Sequence, residues 1–429
     1  MDLANLYVMR MVALVPLCAL VFASGLRAQA KLDTTQFVVL GEGLAAGMSD
    51  FALRDINQEK SFPAQMARQM KTAFPQPLIE APGIGNAPGF TTLPTMLPGT
   101  GQGAVRATFP PGLFVFNLSI PGHRLADAMT ARPSPPLLQP RNQQQTVVNL
   151  ILGYPALIVG RSKPLLTQSE YALAMNPTLL LVELGYYEVL EAAVKDDPSL
   201  LPDVTTFKNN YTALLTRLKS TYAEMVVMTV PDPFDTAFFT TVQSATDYVG
   251  TPPAELQKIF RLNQTDLLTP FGMMLVGNLI LADNVGQLLN PLFPGLASFF
   301  PGTVVKASTK TAVTNRVTAL NTEITTAAQA AGAKVYDLRS FFARVKAQGL
   351  TVNGKRLTAN MLGGFYSLNG YYPGAVGHGA IANEVLQLLN TTYKTNFPLL
   401  DLGRIAEDDP AGRFTPAAVV GRPHTEATR

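Results

Sequence analysis

The chain has 429 residues of which 47% are hydrophobic, enough for a sizeable core in one large or two ordinary domains. Its 33 Lys and Arg against 30 Asp and Glu leave a net charge of +3 without any basic run, which removes the electrostatic ground for a nucleic-acid partner. Charged residues are only 15% of the chain, well below the share in ordinary soluble domains, so a neutral, polar and partly apolar surface is expected.

Arg10 precedes the apolar run Met11 to Ser24, and Arg27 with Ala28-Gln29-Ala30 follows it. A charged start, a short apolar centre and a small-residue exit form the pattern of a cleaved secretory signal. Residues 1–30 are therefore expected to be removed near Ala30, leaving a secreted or periplasmic protein that begins near Lys31. The alternative, a retained membrane anchor, needs about 20 apolar residues, and this run falls short. Cys18 lies inside the signal behind Leu17, too large a residue for lipoprotein processing, so the mature part has no cysteine and export is argued by the signal alone.

Short apolar runs rich in β-branched or aromatic residues predict strands at Phe37–Leu40, Leu113–Asn117, Thr178–Glu183, Met225–Val230 and Lys334–Asp337. Helical periodicity falls between them at Phe62–Ala73, Thr206–Tyr222 and Ala312–Ala331, and after them at Ala380–Tyr393. Strands separated by helices predict an α/β fold with a parallel sheet covered on both faces. Pro75–Pro111, Arg132–Pro164 and Ser244–Val304 are too long for simple crossovers. The third holds the apolar stretch Leu267–Leu281 and is read as a cap over about 244–304, folded inward; membrane-surface contact is the less favoured reading. One domain over 31–401 is expected, and the tail 402–429, without apolar periodicity, is expected to be disordered.

Five blocks carry the chemistry: G-E-G-L-A-A-G from Gly41, F-N-L-S-I-P-G-H from Phe116, N-P-T-L-L-L-V-E-L-G-Y-Y-E-V-L from Asn176, V-V-M-T-V-P-D-P from Val226 and S-L-N-G-Y-Y-P-G-A-V-G-H-G-A-I-A-N from Ser367. In this order they resemble the SGNH or GDSL hydrolases, secreted lipase and esterase relatives. The resemblance spans Phe37 to Leu400. It implies a three-layer α/β/α sandwich with a flavodoxin-like, five-stranded parallel sheet and a site beyond the carboxyl ends of the strands.

The same resemblance sets the catalytic positions, and here they are changed. Where the family has a nucleophilic serine in G-D-S-L-T-A-G, this chain has Gly43. The oxyanion asparagine of G-N-N-D is replaced by Tyr187, and the aspartate and histidine of S-L-D-G-x-H-P by Asn369 and Tyr372. The second block of the family supplies a glycine N–H, and with Gly122 following Asn117-Leu118-Ser119 that donor could survive as a backbone group. Acyl transfer needs a nucleophile, a base within hydrogen-bond reach and a group to orient that base. Glycine has no side chain to attack with, and a phenol with a pKa of about 10 is a poor proton acceptor at neutral pH.

The expectation is a secreted, catalytically inactive protein that binds a glycan, acyl or lipid-like ligand in the former cleft, with no cofactor and no metal. The alternative is an active lipase or esterase with non-standard catalytic residues. Candidate ligand-binding residues are Glu42, Ser119, His123, Tyr186, Tyr187, Glu188, Tyr371 and Tyr372. The two tyrosine pairs offer apolar faces with polar tips, or else fill the volume left by the lost site. Glu42 and Glu188, expected to face each other, either work as acid and base or cap the helices that follow them. Ser119 could pair with His123 at spacing four, and Ser49 lies near the first turn. His123 is either a solvated loop residue or a ligand contact, and His378 is read as packing the last helix in preference to catalysis.

Overall fold

A computed structural model of the chain describes residues 32–81, 83–85, 114–154, 156–159, 165–281, 289 and 294–408. The expected signal, most of the Gly- and Pro-rich connection before Pro111, and the tail from 409 onward lie outside the described residues.

The main sheet has four parallel strands in the spatial order β1 (Phe37–Gly41), β2 (Leu179–Glu183), β3 (Glu224–Met228) and β4 (Lys334–Tyr336). Strands β1 and β2 are buried along their whole length, which is why F-V-V-L-G and L-L-L-V-E run apolar without alternation. The fifth expected strand, Leu113–Asn117, needs correcting. Its described part forms one parallel bridge, Asn117 to Val39, at the free edge of β1. The Val39 N–H donates to the Phe116 carbonyl at 2.9 Å and the Leu118 N–H to the Val39 carbonyl at 2.9 Å. Beyond the bridge the segment stays beside β1, with the Ile120 N–H donating to the Gly41 carbonyl at 3.1 Å, and the Asn117 amide turns inward, donating to the Ala45 carbonyl at 3.0 Å and accepting the Ser119 N–H at 3.2 Å.

The helices that frame the sheet and the site are α1 (Gly43–Ala46), α2 (Phe62–Met70), α3 (Tyr186–Val194), α4 (Val204–Lys219), α5 (Ala307–Ala331), α6 (Ala375–Tyr393) and α7 (Leu402–Asp408). Helix α4 shows how the sequence sets them. Asp203 caps it by accepting the Thr206 N–H at 2.8 Å, Arg217 and Lys219 sit in its last turn, and Phe207, Tyr211, Leu214, Leu215 and Leu218 make one buried face. That face packs with α5, while α2 packs with α6.

Helix α6 starts five residues before the expected Ala380, taking in Gly377, His378 and Gly379. Glycine is a weak helix former, but a Cβ on Gly379 would meet Ile405 at 2.9 Å and Leu402 at 3.0 Å, so close packing of α7 selects it. The same contact corrects the disordered-tail expectation for residues 402–408, which are helical and docked. The connection Arg132–Pro164 also carries structure. Helix Gln143–Leu152 is capped by Asn142, and the Asn149 amide pins the Pro-rich loop through the carbonyls of Ser134, Pro136 and Leu137.

The cap has its own core, built on Val242, Leu256, Ile259, Phe260, Leu268 and Met273. Three two-residue strands, Thr240–Thr241, Leu267–Leu268 and Val304–Val305, tie it together. Leu267–Leu281 is therefore a strand followed by the helix Pro270–Leu281, not a single helix. Pro270 opens that helix, where its missing N–H costs nothing. Among the described residues no helix is long and apolar enough to cross a membrane.

Candidate functional site

The carboxyl end of β1 runs directly into α1, and Glu42 at the junction caps it. Its Oε1 accepts the Leu44 N–H at 2.9 Å. Its Oε2 receives the Tyr372 hydroxyl at 2.6 Å, reaching across 330 residues of chain to the loop before α6. The cap reading of Glu42 is thus met, and its expected partner Glu188 is replaced by another carboxylate. Glu183, the last residue of β2, accepts the N–H groups of Glu42 and Ala45 through Oε2, both at 3.2 Å. Three backbone donors of the first turn, those of Glu42, Leu44 and Ala45, are thus occupied by carboxylates of this chain.

Glu183 was not singled out from the sequence. The available signal was a lone carboxylate closing a run of four apolar residues in a strand destined to be buried on both faces. Gln168 was missed as well. Its amide donates to the carbonyls of Gly41 at 2.9 Å and Leu118 at 2.8 Å, joining β1 to its neighbouring segment, and no local pattern announces that role.

Glu188 sits in the first turn of α3, where its Oε1 accepts the Leu125 N–H at 2.6 Å and holds the loop beyond Asn117. Burial pushes its carboxyl up to about 7, with the Leu125 N–H pulling the other way. Burial also raises Glu42, against the Tyr372 and Leu44 hydrogen bonds. Glu183 is raised further, first by burial and then by the Glu42 charge. Both carboxylates proposed as an acid–base pair are locked into backbone contacts inside the protein, so the arrangement gives no support to a glycosidase-like role.

The four tyrosines do converge, but as filling. Tyr186, Tyr187, Tyr371 and Tyr372 are all buried. The Tyr372 ring meets Tyr186 edge-on at 6.1 Å and Tyr371 at 4.8 Å, and Tyr371 packs on Phe238 of the main core at 5.8 Å. The Tyr186 hydroxyl donates to the Tyr371 carbonyl at 3.3 Å. A Cβ on Gly43 would stand 2.6 Å from Cζ of Tyr372 and closer still to its hydroxyl. The space a nucleophile would need is therefore held by the residue at the family's histidine position. Asn369, at the aspartate position, has turned its carbonyl oxygen to the N–H groups of Tyr371 at 3.0 Å and Tyr372 at 2.9 Å and shapes the loop.

The histidines and serines do not rebuild a triad. His123 is fully buried, contrary to the solvated reading, and burial lowers it to about 4 despite the Asp127 charge. Neither of its ring nitrogens has a hydrogen-bond partner among the described residues, and neither does the Ser119 hydroxyl, so the pairing that the spacing of Ser119 and His123 would allow is not formed. His378 packs as expected: Nδ1 accepts the Phe62 N–H at 3.3 Å, the ring stacks on Phe62, and burial lowers its pKa to about 3. Ser49 is buried in a bridge to Ala52. Among the described residues no group of three or more His, Cys, Asp or Glu side chains is placed to hold a metal ion.

Compared with known proteins, the chain matches no protein-family model and no curated protein sequence.

Proposed function

We propose that the chain is an exported, SGNH-hydrolase-like protein that does not hydrolyse esters, and that the end of its sheet is closed by a plug of carboxylates and tyrosines. The observation that carries this reading is the overlap between Tyr372 and the volume of any side chain on residue 43. A flavodoxin-like sandwich is supported by the spatial order of the Asn117 segment, β1, β2, β3 and β4, with α2 and α6 paired and α4 and α5 paired. The protein acts by binding and not by turnover. A glycan, acyl or lipid-like ligand would reach Tyr371 and Tyr372 only after the loop 366–374 moves, since both rings are covered in the closed form.

The test is an ester-hydrolysis assay with short- and medium-chain p-nitrophenyl esters, run beside labelling with a fluorophosphonate. No turnover above buffer and no label are expected. Turnover that is lost in Ser49→Ala or Ser119→Ala would overturn the reading in favour of an active esterase with a relocated nucleophile.

A further inference from the structure

Three segments far apart in sequence meet at the plug: the turn 42–46 after β1, the end of β2 with the start of α3, and the loop 366–374. Their junction is made by Glu42, Glu183, Tyr372 and Tyr186 through the hydrogen bonds already given. The loop is also tied to the first turn from outside, where the Asp50 N–H donates to the Ser367 hydroxyl at 2.9 Å and the Leu368 N–H to the Asp50 carboxylate at 3.1 Å.

The junction is acidic, and no counter-charge acts strongly on it among the described residues. The titratable groups acting on it are Glu42 from the first turn, Glu183 from β2, Tyr186, Tyr187 and Glu188 from α3, Tyr366, Tyr371 and Tyr372 from the loop, Tyr211 from α4, and Asp232 after β3. None of the largest influences on Glu42 or Glu183 is cationic. Arg124 acts on Tyr187 and Glu188 and is paired with Glu191 at the surface. Two carboxylates that share one turn of backbone donors without a cation repel each other when both are charged, and burial strengthens that repulsion.

We propose that the junction is a pH-operated latch: while Glu42 and Glu183 hold at least one proton between them, it clamps the turn 42–46, the end of β2 and the loop 366–374 together, and loss of that proton as the pH rises frees Tyr372 and opens the buried end of the sheet. In the open form water solvates both carboxyls, which then ionise in their ordinary range. Opening therefore releases the proton that the closed form retains, and the opening equilibrium rises about tenfold per pH unit for each proton released. The latch rests on these contacts and holds whether or not the chain is a relative of the ester hydrolases. An ester assay bears on the proposed function alone.

Amide hydrogen exchange on the full chain, followed from about pH 6 to about pH 9 and corrected for the intrinsic effect of pH on exchange, reads the opening directly. The reporters are Leu44 and Ala45, whose N–H groups the two carboxylates hold, and Tyr371 and Tyr372, held by Asn369. Leu181 and Val226, in the middle of β2 and β3, serve as references. Protection at the reporters is expected to fall about tenfold or more per pH unit while the references stay constant, and to lose that slope in the Glu42→Gln, Glu183→Gln double variant. Protection that ignores pH in the parent, or an unchanged slope in the double variant, overturns the latch. Tyr372→Phe keeps both carboxyls and removes the clamp: low reporter protection already at pH 6 supports the proposal, and protection equal to the parent at every pH refutes it.

Discussion

Gly43 and Tyr372 occupy one volume between them: the tyrosine ring and hydroxyl stand where a Cβ on residue 43 would have to go. In the closed form Tyr372 has no room beside it, because it is fully buried, packed against Tyr186 and Tyr371 and hydrogen-bonded to Glu42. Gly43→Ser alone is therefore an overpacking mutation and is expected to cost about 1–3 kcal/mol, read as a shift of the denaturation midpoint. Combined with Tyr372→Ala the serine should cost much less than it does alone. Additive costs in this cycle would show that the two positions do not compete for space.

Glu188 gives a pH signature of known sign. Its folded pKa is raised to about 7, so the native protein keeps a proton that the unfolded chain gives up above its ordinary 4.5. Stability from this group is present below pH 4.5, falls as pH rises through the interval and is gone above about 7, a change on the order of 3 kcal/mol. Glu188→Gln should flatten that part of the profile between pH 5 and 8, measured as urea midpoints beside the parent. Parallel profiles would mean that the carboxyl is solvated.

The legible and the hidden parts of this fold divide by range. Strands β1, β2, β3 and β4 and helices α2, α4 and α5 were visible because each is announced by its own run of apolar residues, its caps or its period. The first turns of α6 were hidden by Gly377, whose reason is the close approach of Phe365 and Pro373, and by Gly379, whose reason is the contact with α7, and α7 itself was hidden because its apolar residues gain meaning only against Gly379. The two-residue strands of the cap are too short to have a period. In the site, the residues standing at the resemblance's nucleophile, base and orienter positions, Gly43, Tyr372 and Asn369, could be read position by position. That Glu183 and not Glu188 would share the first turn with Glu42 depends on strand register across β1 and β2, where Gly41 stands opposite Glu183, and register is not written in either segment alone.

His378 titrates in the opposite sense to Glu188. Burial lowers its folded pKa to about 3 from an ordinary 6.5, so its contribution is present above 6.5 and is lost as pH falls toward 3. Replacing the ring by an amide that still accepts the Phe62 N–H, as in His378→Gln, should make the protein less sensitive to acid between pH 6 and 4 even if it is less stable at pH 7. Acid unfolding that begins at the same pH in both proteins would show that protonation of this ring does not drive it.

Restoring the ester-hydrolase pattern tests how far the plug and the chemistry exclude each other. Gly43→Ser, Tyr187→Asn, Asn369→Asp and Tyr372→His act on one cluster, so their effects should not add. The histidine vacates the volume that the serine needs, and the combined variant is expected to fold better than Gly43→Ser alone. Labelling by a fluorophosphonate is expected only in the combined variant, because a serine without an adjacent base is not activated. Even there it should be slow, since the Glu183 carboxyl, bonded to the N–H groups of Glu42 and Ala45 on either side of residue 43, would oppose a developing anion. Adding Glu183→Gln removes that charge and should speed labelling. If the combined variant and its Glu183→Gln derivative both stay unlabelled while folded, the first turn does not have the geometry of an ester-hydrolase site.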